Sequence, residues 1–157
     1  MQQAKDAVAV ASGAGEALWW FGSLAEIKAT AADTGGACTI VEVTCEAHYE
    51  AALHVHHREA EGFWVIEGRV TFEVGATTFE ASPGDYAFGP RGVPHRFKVG
   101  DRTCRLLFIL TPGGFEDLIR ATGVRAATRS VPSHDGPPPD MDRVKAIVAT
   151  YGCELLA

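Results

Sequence analysis

Basic runs, long apolar stretches and paired cysteines are all missing from this 157-residue sequence, and each absence removes a class of function. Fourteen Lys and Arg stand against twenty Asp and Glu, a formal charge of −6. The positive footprint that a phosphate backbone demands is therefore lacking, and nucleic acid is not an expected partner. The longest apolar stretches, such as Leu106 to Leu110, are far too short to span a bilayer, and before residue 15 there is only the small Ala7 to Ala11 patch where a signal peptide needs an apolar core. No membrane partner is expected, and the expected compartment is the cytoplasm. Cys38, Cys45, Cys104 and Cys153 form no C-x-x-C pair, and a domain of this size does not need disulfides, so they read as reduced thiols. Cys38 and Cys104 lie in apolar strand-like runs and read as small buried hydrophobes.

What is present suits one compact domain: 46% of residues are hydrophobic, with 17 Gly and 8 Pro. Residues 1–15 are small and without periodicity, which predicts a flexible arm. From Leu18 to about Asp101 short runs rich in Val, Ile, Thr and aromatics (LWWFGSLAEIKAT, CTIVEVTC, FWVIEG, RVTFEVG, TTFEA, DYAFGP, HRFKV) alternate with Gly, Pro and Asp, and the fully apolar RLLFIL follows. Many short strands joined by tight turns predict an all-β antiparallel sandwich or barrel. Gly68 and Gly75 fall where hairpins need a positive φ, and Ser82-Pro83-Gly84-Asp85 reads as a type II turn. Thr111 and Pro112 predict a short helix ending at Gly123; Pro132 to Asp140 reads as an extended connector, and Met141 to Tyr151 as a second helix.

The chemistry concentrates in Leu53-His54-Val55-His56-His57-Arg58-Glu59-Ala60-Glu61, with His95 following 34 residues after Glu61. Side chains two apart on a strand share a face, so His54 and His56 point to one interior while Val55 and His57 point away. Glu61 can join them if the chain turns back after His57, and His95 can arrive from a strand distant in sequence. Three imidazoles and one carboxylate form a mixed N/O set suited to a divalent first-row metal.

These spacings resemble the cupin superfamily. His54-x-His56-x4-Glu61-x6-Gly68 matches its first motif and Gly84-x5-Pro90-x-Gly92-x2-His95 its second, with 15 residues between Gly68 and Gly84. The resemblance covers about residues 40 to 110. It implies a small double-stranded antiparallel β-barrel of the cupin, or jelly-roll, type with short C-terminal helices, binding metal through His54, His56, Glu61 and His95. The expected division is an arm over 1–15, the barrel over 16–112 and a helical extension over 113–157 packed on it. The segments around Trp19-Trp20 and Thr111-Pro112 look like those of bacterial single-domain cupins similar to quercetin 2,3-dioxygenase. Two positions depart from the pattern: His48 stands where the first motif opens with glycine, and Val99 where the second closes with asparagine.

Other readings compete at several positions. Glu59 is a rival to Glu61, but position 61 fits both motif and inward parity. His57 reads as a surface or supporting residue, and His48 and His134 as solvated. Phe63, Val65, Phe72, Tyr86, Phe88, Phe97 and Phe108 are core candidates from which a pocket wall must be drawn. Trp19, Trp20 and Trp64 read as packing or subunit-contact residues, and Arg91 and Arg96 as solvated or ion-paired.

The expected function is a metal-dependent dioxygenase acting with O2 on a small enolisable or aromatic substrate, with Glu61 as metal ligand and proton acceptor. The expected cofactor is a divalent transition metal, among Fe, Mn, Ni, Co, Cu and Zn. A non-redox isomerase or cyclase and a non-enzymatic small-molecule-binding cupin are the alternatives. The resemblance also implies a homodimer.

Overall fold

The computed structural model describes residues 6–156. Residues 1–5 of the expected arm and residue 157 of the expected extension lie outside that range. Twelve strands and three short helices follow in order: β1 (Glu16–Trp20), β2 (Ser23–Ala29), α1 (Ala31–Thr34), β3 (Thr39–Cys45), β4 (His54–His56), β5 (Ala60–Glu67), β6 (Val70–Val74), β7 (Thr77–Ala81), β8 (Tyr86–Gly89), β9 (His95–Val99), β10 (Cys104–Thr111), α2 (Glu116–Thr122), β11 (Val124–Arg125), α3 (Met141–Thr150) and β12 (Cys153–Leu155).

The strands make two antiparallel sheets, ordered β11-β1-β2-β3-β10-β5-β8 and β12-β4-β9-β6-β7. Alternation explains why they stack. On β3, Thr39, Val41, Val43 and Cys45 are buried, and on β10, Cys104, Leu106, Phe108 and Leu110. From the other sheet, Val70, Phe72, Phe97 and Val99 join the same buried cluster, so one core lies between the sheets. The result is a jelly roll of two sheets rather than one closed ring. Cys45 and Cys104 face each other across the β3–β10 ladder. Both are buried, and burial pushes the Cys104 thiol up to about 11. Cys38 is only half-buried.

The turns follow the glycine and proline punctuation. The Asp85 N–H donates to the Ser82 carbonyl at 2.9 Å, and Gly84 takes φ +93°. At Gly68, φ is +85°, and a Cβ added there would sit 2.5 Å from the Thr103 carbonyl oxygen, which is rigid backbone. Gly68→Ala is accordingly expected to destabilise the fold by about 2 kcal/mol or more, combining a left-handed conformation with a backbone clash. Urea unfolding measures it, and an unchanged midpoint would refute the argument.

Three local differences from the sequence reading have clear causes. The run from Leu18 is two strands, because Phe21 and Gly22 both adopt positive φ and fold β2 back on β1. Thr111 does not cap a helix. It completes β10 by pairing with Ala60, and α2 starts only at Glu116. There the buried Glu116 carboxylate accepts hydrogen bonds from the Ala31 and Gly114 N–H groups and the Thr39 hydroxyl, tying this corner to β3. The C-terminal part is also not wholly helical, since β11 extends one sheet beside β1 and β12 extends the other beside β4.

Candidate metal centre

The β4 alternation turns His54 and His56 into the space between the sheets. His54 is the register partner of His95 on β9, which brings the third imidazole alongside. Glu61 comes from β5 in the opposite sheet, where it pairs with Gly89. The two sheets thus close on one point. His54, His56, Glu61 and His95 each offer a ligand atom, and these four atoms all lie within 4.8 Å of one another. Glu61 Oε2 is 3.0 Å from Nε2 of both His56 and His95. Gly89 makes room: a Cβ there would press on the His95 ring at 3.2 Å. In the sequence Gly89 is only part of the strand-like run DYAFGP, with no role at the site assigned to it.

The outer nitrogens set the imidazole orientations. His54 Nδ1 lies 2.6 Å from the Ala52 carbonyl and His95 Nδ1 3.0 Å from that of Val93. An Nδ1–H donated to each carbonyl leaves Nε2 as an inward lone pair. Burial is the larger force on His54 and, with the neighbouring imidazoles, lowers its pKa to about 4. Burial also opposes charge on His56, but the Glu61 carboxylate outweighs it and raises the pKa to about 10. The Glu61 carboxyl, against the cost of burial, is held well below its usual range by His56 and His95. His56 Nε2 is buried and, although 3.0 Å from Glu61 Oε2, is not aligned to hydrogen-bond with it. A partnerless buried nitrogen amid three other converging donors fits a divalent transition ion, which satisfies a lone pair without needing a proton.

Three of the four, His54, His56 and Glu61, line a cavity of about 660 Å³. Of the aromatic candidates, Phe63, Phe97 and Phe108 line it. Val65 and Phe72 belong to the core, and Tyr86 and Phe88 are exposed on the outside of the sheet, as is Trp64. Trp20 lines the cavity as well. The C-terminal segment supplies wall that sequence reading did not assign. Phe115 stands edge-on to His56 with ring centres 5.2 Å apart, and Leu118, Val148 and Cys153 continue the surface. No Lys or Arg is among the described lining residues.

The remaining candidates stand apart from the four donors. His57 is exposed, with Nε2 3.0 Å from the Glu154 carboxylate. His48 is exposed at φ +66°, so it keeps the left-handed backbone that a glycine would take there. His134 lies at the cavity rim, paired with Glu46. Arg96 is ion-paired with Glu73, and Arg91 is exposed.

Comparison with known proteins agrees with this architecture. A family model described as "Cupin domain" matches residues 41–110. The quercetin 2,3-dioxygenase of Bacillus subtilis (strain 168) is 26% identical over 112 residues, 71% of this chain and 33% of that protein. The quercetin 2,3-dioxygenase of Aspergillus japonicus is 34% identical over 80 residues, 46% of this chain and 22% of that protein. The chain thus spans a third or less of the length of these curated relatives. An RmlC-like cupin from Shewanella frigidimarina NCIMB 400 superposes with a TM-score of 0.60 at 18% identity, covering 74% of this chain and 99% of that one. At that identity the likeness is one of fold.

Proposed function

From a chain that is a member of the cupin superfamily, with its cupin domain over residues 41–110, we propose a metal-dependent dioxygenase that cleaves a small enolisable or aromatic substrate with O2. One observation carries the reading: three imidazoles and a carboxylate converge, and His54, His56 and Glu61 among them line a largely apolar cavity big enough for a drug-sized molecule. Both curated relatives, which share the name quercetin 2,3-dioxygenase, support it.

His54, His56, Glu61 and His95 would hold a divalent transition ion, which supplies a Lewis acid for an enolate or phenolate oxygen and a route for electrons to O2. The chain's own residues do the rest. Phe63, Phe97, Phe108 and Phe115 clamp a flat apolar body and keep water from the cluster. Glu61, the one carboxylate of the cluster, accepts the proton of the substrate hydroxyl as it docks. With no Lys or Arg on the described lining, the walls favour a substrate that enters uncharged and loses its proton at the cluster. The homodimer and the cytoplasmic address belong to the same proposal; among the described residues, no helix is long and apolar enough to cross a membrane.

The test is elemental analysis of protein purified without added metal, followed by oxygen-electrode traces with flavonols, diketones and hydroxy-acids. The expected result is O2 uptake in proportion to substrate lost, abolished by a chelator and restored by one transition ion. Equal turnover without O2 would overturn dioxygenation in favour of the isomerase or cyclase. Substrate binding with no turnover under either atmosphere would favour a binding protein.

A further inference from the structure

Glu59 is buried, 6% exposed, yet its Oε2 has no hydrogen-bond partner. The atom it faces is in the same condition. His56 Nδ1, on a ring 2% exposed, is also without a partner and lies 3.9 Å away. Two buried polar atoms left unpaired would each cost about 1–3 kcal/mol, so their mutual approach is the arrangement to explain.

The other two imidazoles show what is missing at His56. His54 and His95 each have a backbone carbonyl on Nδ1, from Ala52 and Val93. No carbonyl serves His56. Its own C=O accepts from the Gly92 N–H at 2.8 Å, and the next residue's N–H is taken by the Gly152 carbonyl, so the backbone around the ring is pinned elsewhere. Glu59, in the connection between β4 and β5, is the carboxylate that approaches Nδ1; the Cys153 thiol, opposite His56 on β12, is the other polar side chain beside the ring and offers only a weak sulfur acceptor. A shift of about 1 Å in a carboxylate at the end of a flexible side chain brings 3.9 Å to hydrogen-bond length.

We propose that Glu59 is the positioning residue of His56: its carboxylate accepts a hydrogen bond from Nδ1–H and thereby presents Nε2 as a lone pair to the ion. This rests on the metal-centre reading above. It assigns different work to two carboxylates two residues apart. Glu61 lies on the inner side of the His56 ring and is itself a ligand, whereas Glu59 is behind the ring and acts through it. A carboxylate in place of a carbonyl also makes His56 the most electron-rich of the three imidazoles, so removing the charge weakens the ion's hold without removing a ligand.

Zn²⁺ titration in competition with a chromophoric chelator tests this on the whole chain. Glu59→Ala is expected to weaken Zn²⁺ binding by about 10–100-fold relative to wild type, and Glu59→Gln, whose amide oxygen still accepts a proton, by less. The second readout is the His56 Nδ1 proton in the Zn²⁺-loaded, ¹⁵N-histidine-labelled protein. It is expected far downfield and slow to exchange in wild type, and to move upfield in Glu59→Gln even if Glu59→Ala does not fold. Zn²⁺ affinity in Glu59→Ala within twofold of wild type, or an unshifted proton in Glu59→Gln, would overturn the role of Glu59 and leave the metal centre standing. A wild-type chain that takes up no Zn²⁺ or other transition ion would overturn both.

Discussion

Replacing His95 by Gln is expected to empty the proposed metal centre: bound transition ion falls from near one per chain to a small fraction, and turnover falls with it. The size of the loss follows from the residue's place. His95 is 2% exposed and meets Glu61 Oε2 at 3.0 Å, with Nδ1 already committed to the Val93 carbonyl. Its Nε2 therefore has nowhere to point except the centre of the cluster. Loss of a supporting residue outside the ligand set costs about 10–100-fold in metal affinity, so loss of a ligand should exceed about 100-fold. Glutamine preserves bulk against Phe63, whose ring centre is 5.9 Å from that of His95. It leaves the buried Glu61 carboxylate without its hydrogen bond to His95, which costs about 1–3 kcal/mol of stability. Elemental analysis gives stoichiometry and thermal unfolding gives stability. Full metal content in a folded His95→Gln protein would remove His95 from the ligand set.

The second large effect is on the fold alone. Phe72→Ala is expected to cost about 3–5 kcal/mol, the range for truncating a large buried aromatic side chain. Phe72 is 1% exposed, and its ring centre is 5.0 Å from that of Phe63, 5.6 Å from Phe79 and 6.2 Å from Phe97. Phe63 comes from the opposite sheet, so the truncation opens a void between the sheets that neighbouring strands cannot easily close. Phe72 is outside the cavity lining, so molecules that remain folded should keep their metal content and activity. Chemical denaturation against metal stoichiometry separates the two effects. A loss below about 1 kcal/mol would show that this part of the core repacks freely.

Much of this architecture is legible in local sequence, for identifiable reasons. The strands of β3, β9 and β10 read directly because each has one face in the core and one outside, and a period of two survives in the residue order. Gly68, Gly75 and Gly84 were readable as turns because positive φ is a property of a single residue. The corner at 111–116 was not. Thr111 and Pro112 are good helix openers, but the β10 ladder runs through Thr111 and the Glu116 carboxylate gathers donors from residues up to 85 positions away. Local preference gave way to pairing with distant strands. The aromatic candidates divided for the same reason. Phe63 and Phe97 face the cavity and Tyr86 and Phe88 face outward, a choice set by which sheet face each strand presents once the sheets have stacked.

By itself, the sequence determined the strand-rich class, the places where the chain must turn and the residue types able to hold a cation, because alternation, backbone freedom and donor chemistry are all properties of short stretches. Only the tertiary structure decided that His95 and Glu61 meet His54 and His56, that Phe115 and the C-terminal segment wall the cavity, and that Glu59 comes to lie behind His56. Those distances depend on how two sheets stack and which strands become neighbours, and stacking sums the burial of the entire core, which no local window of sequence contains.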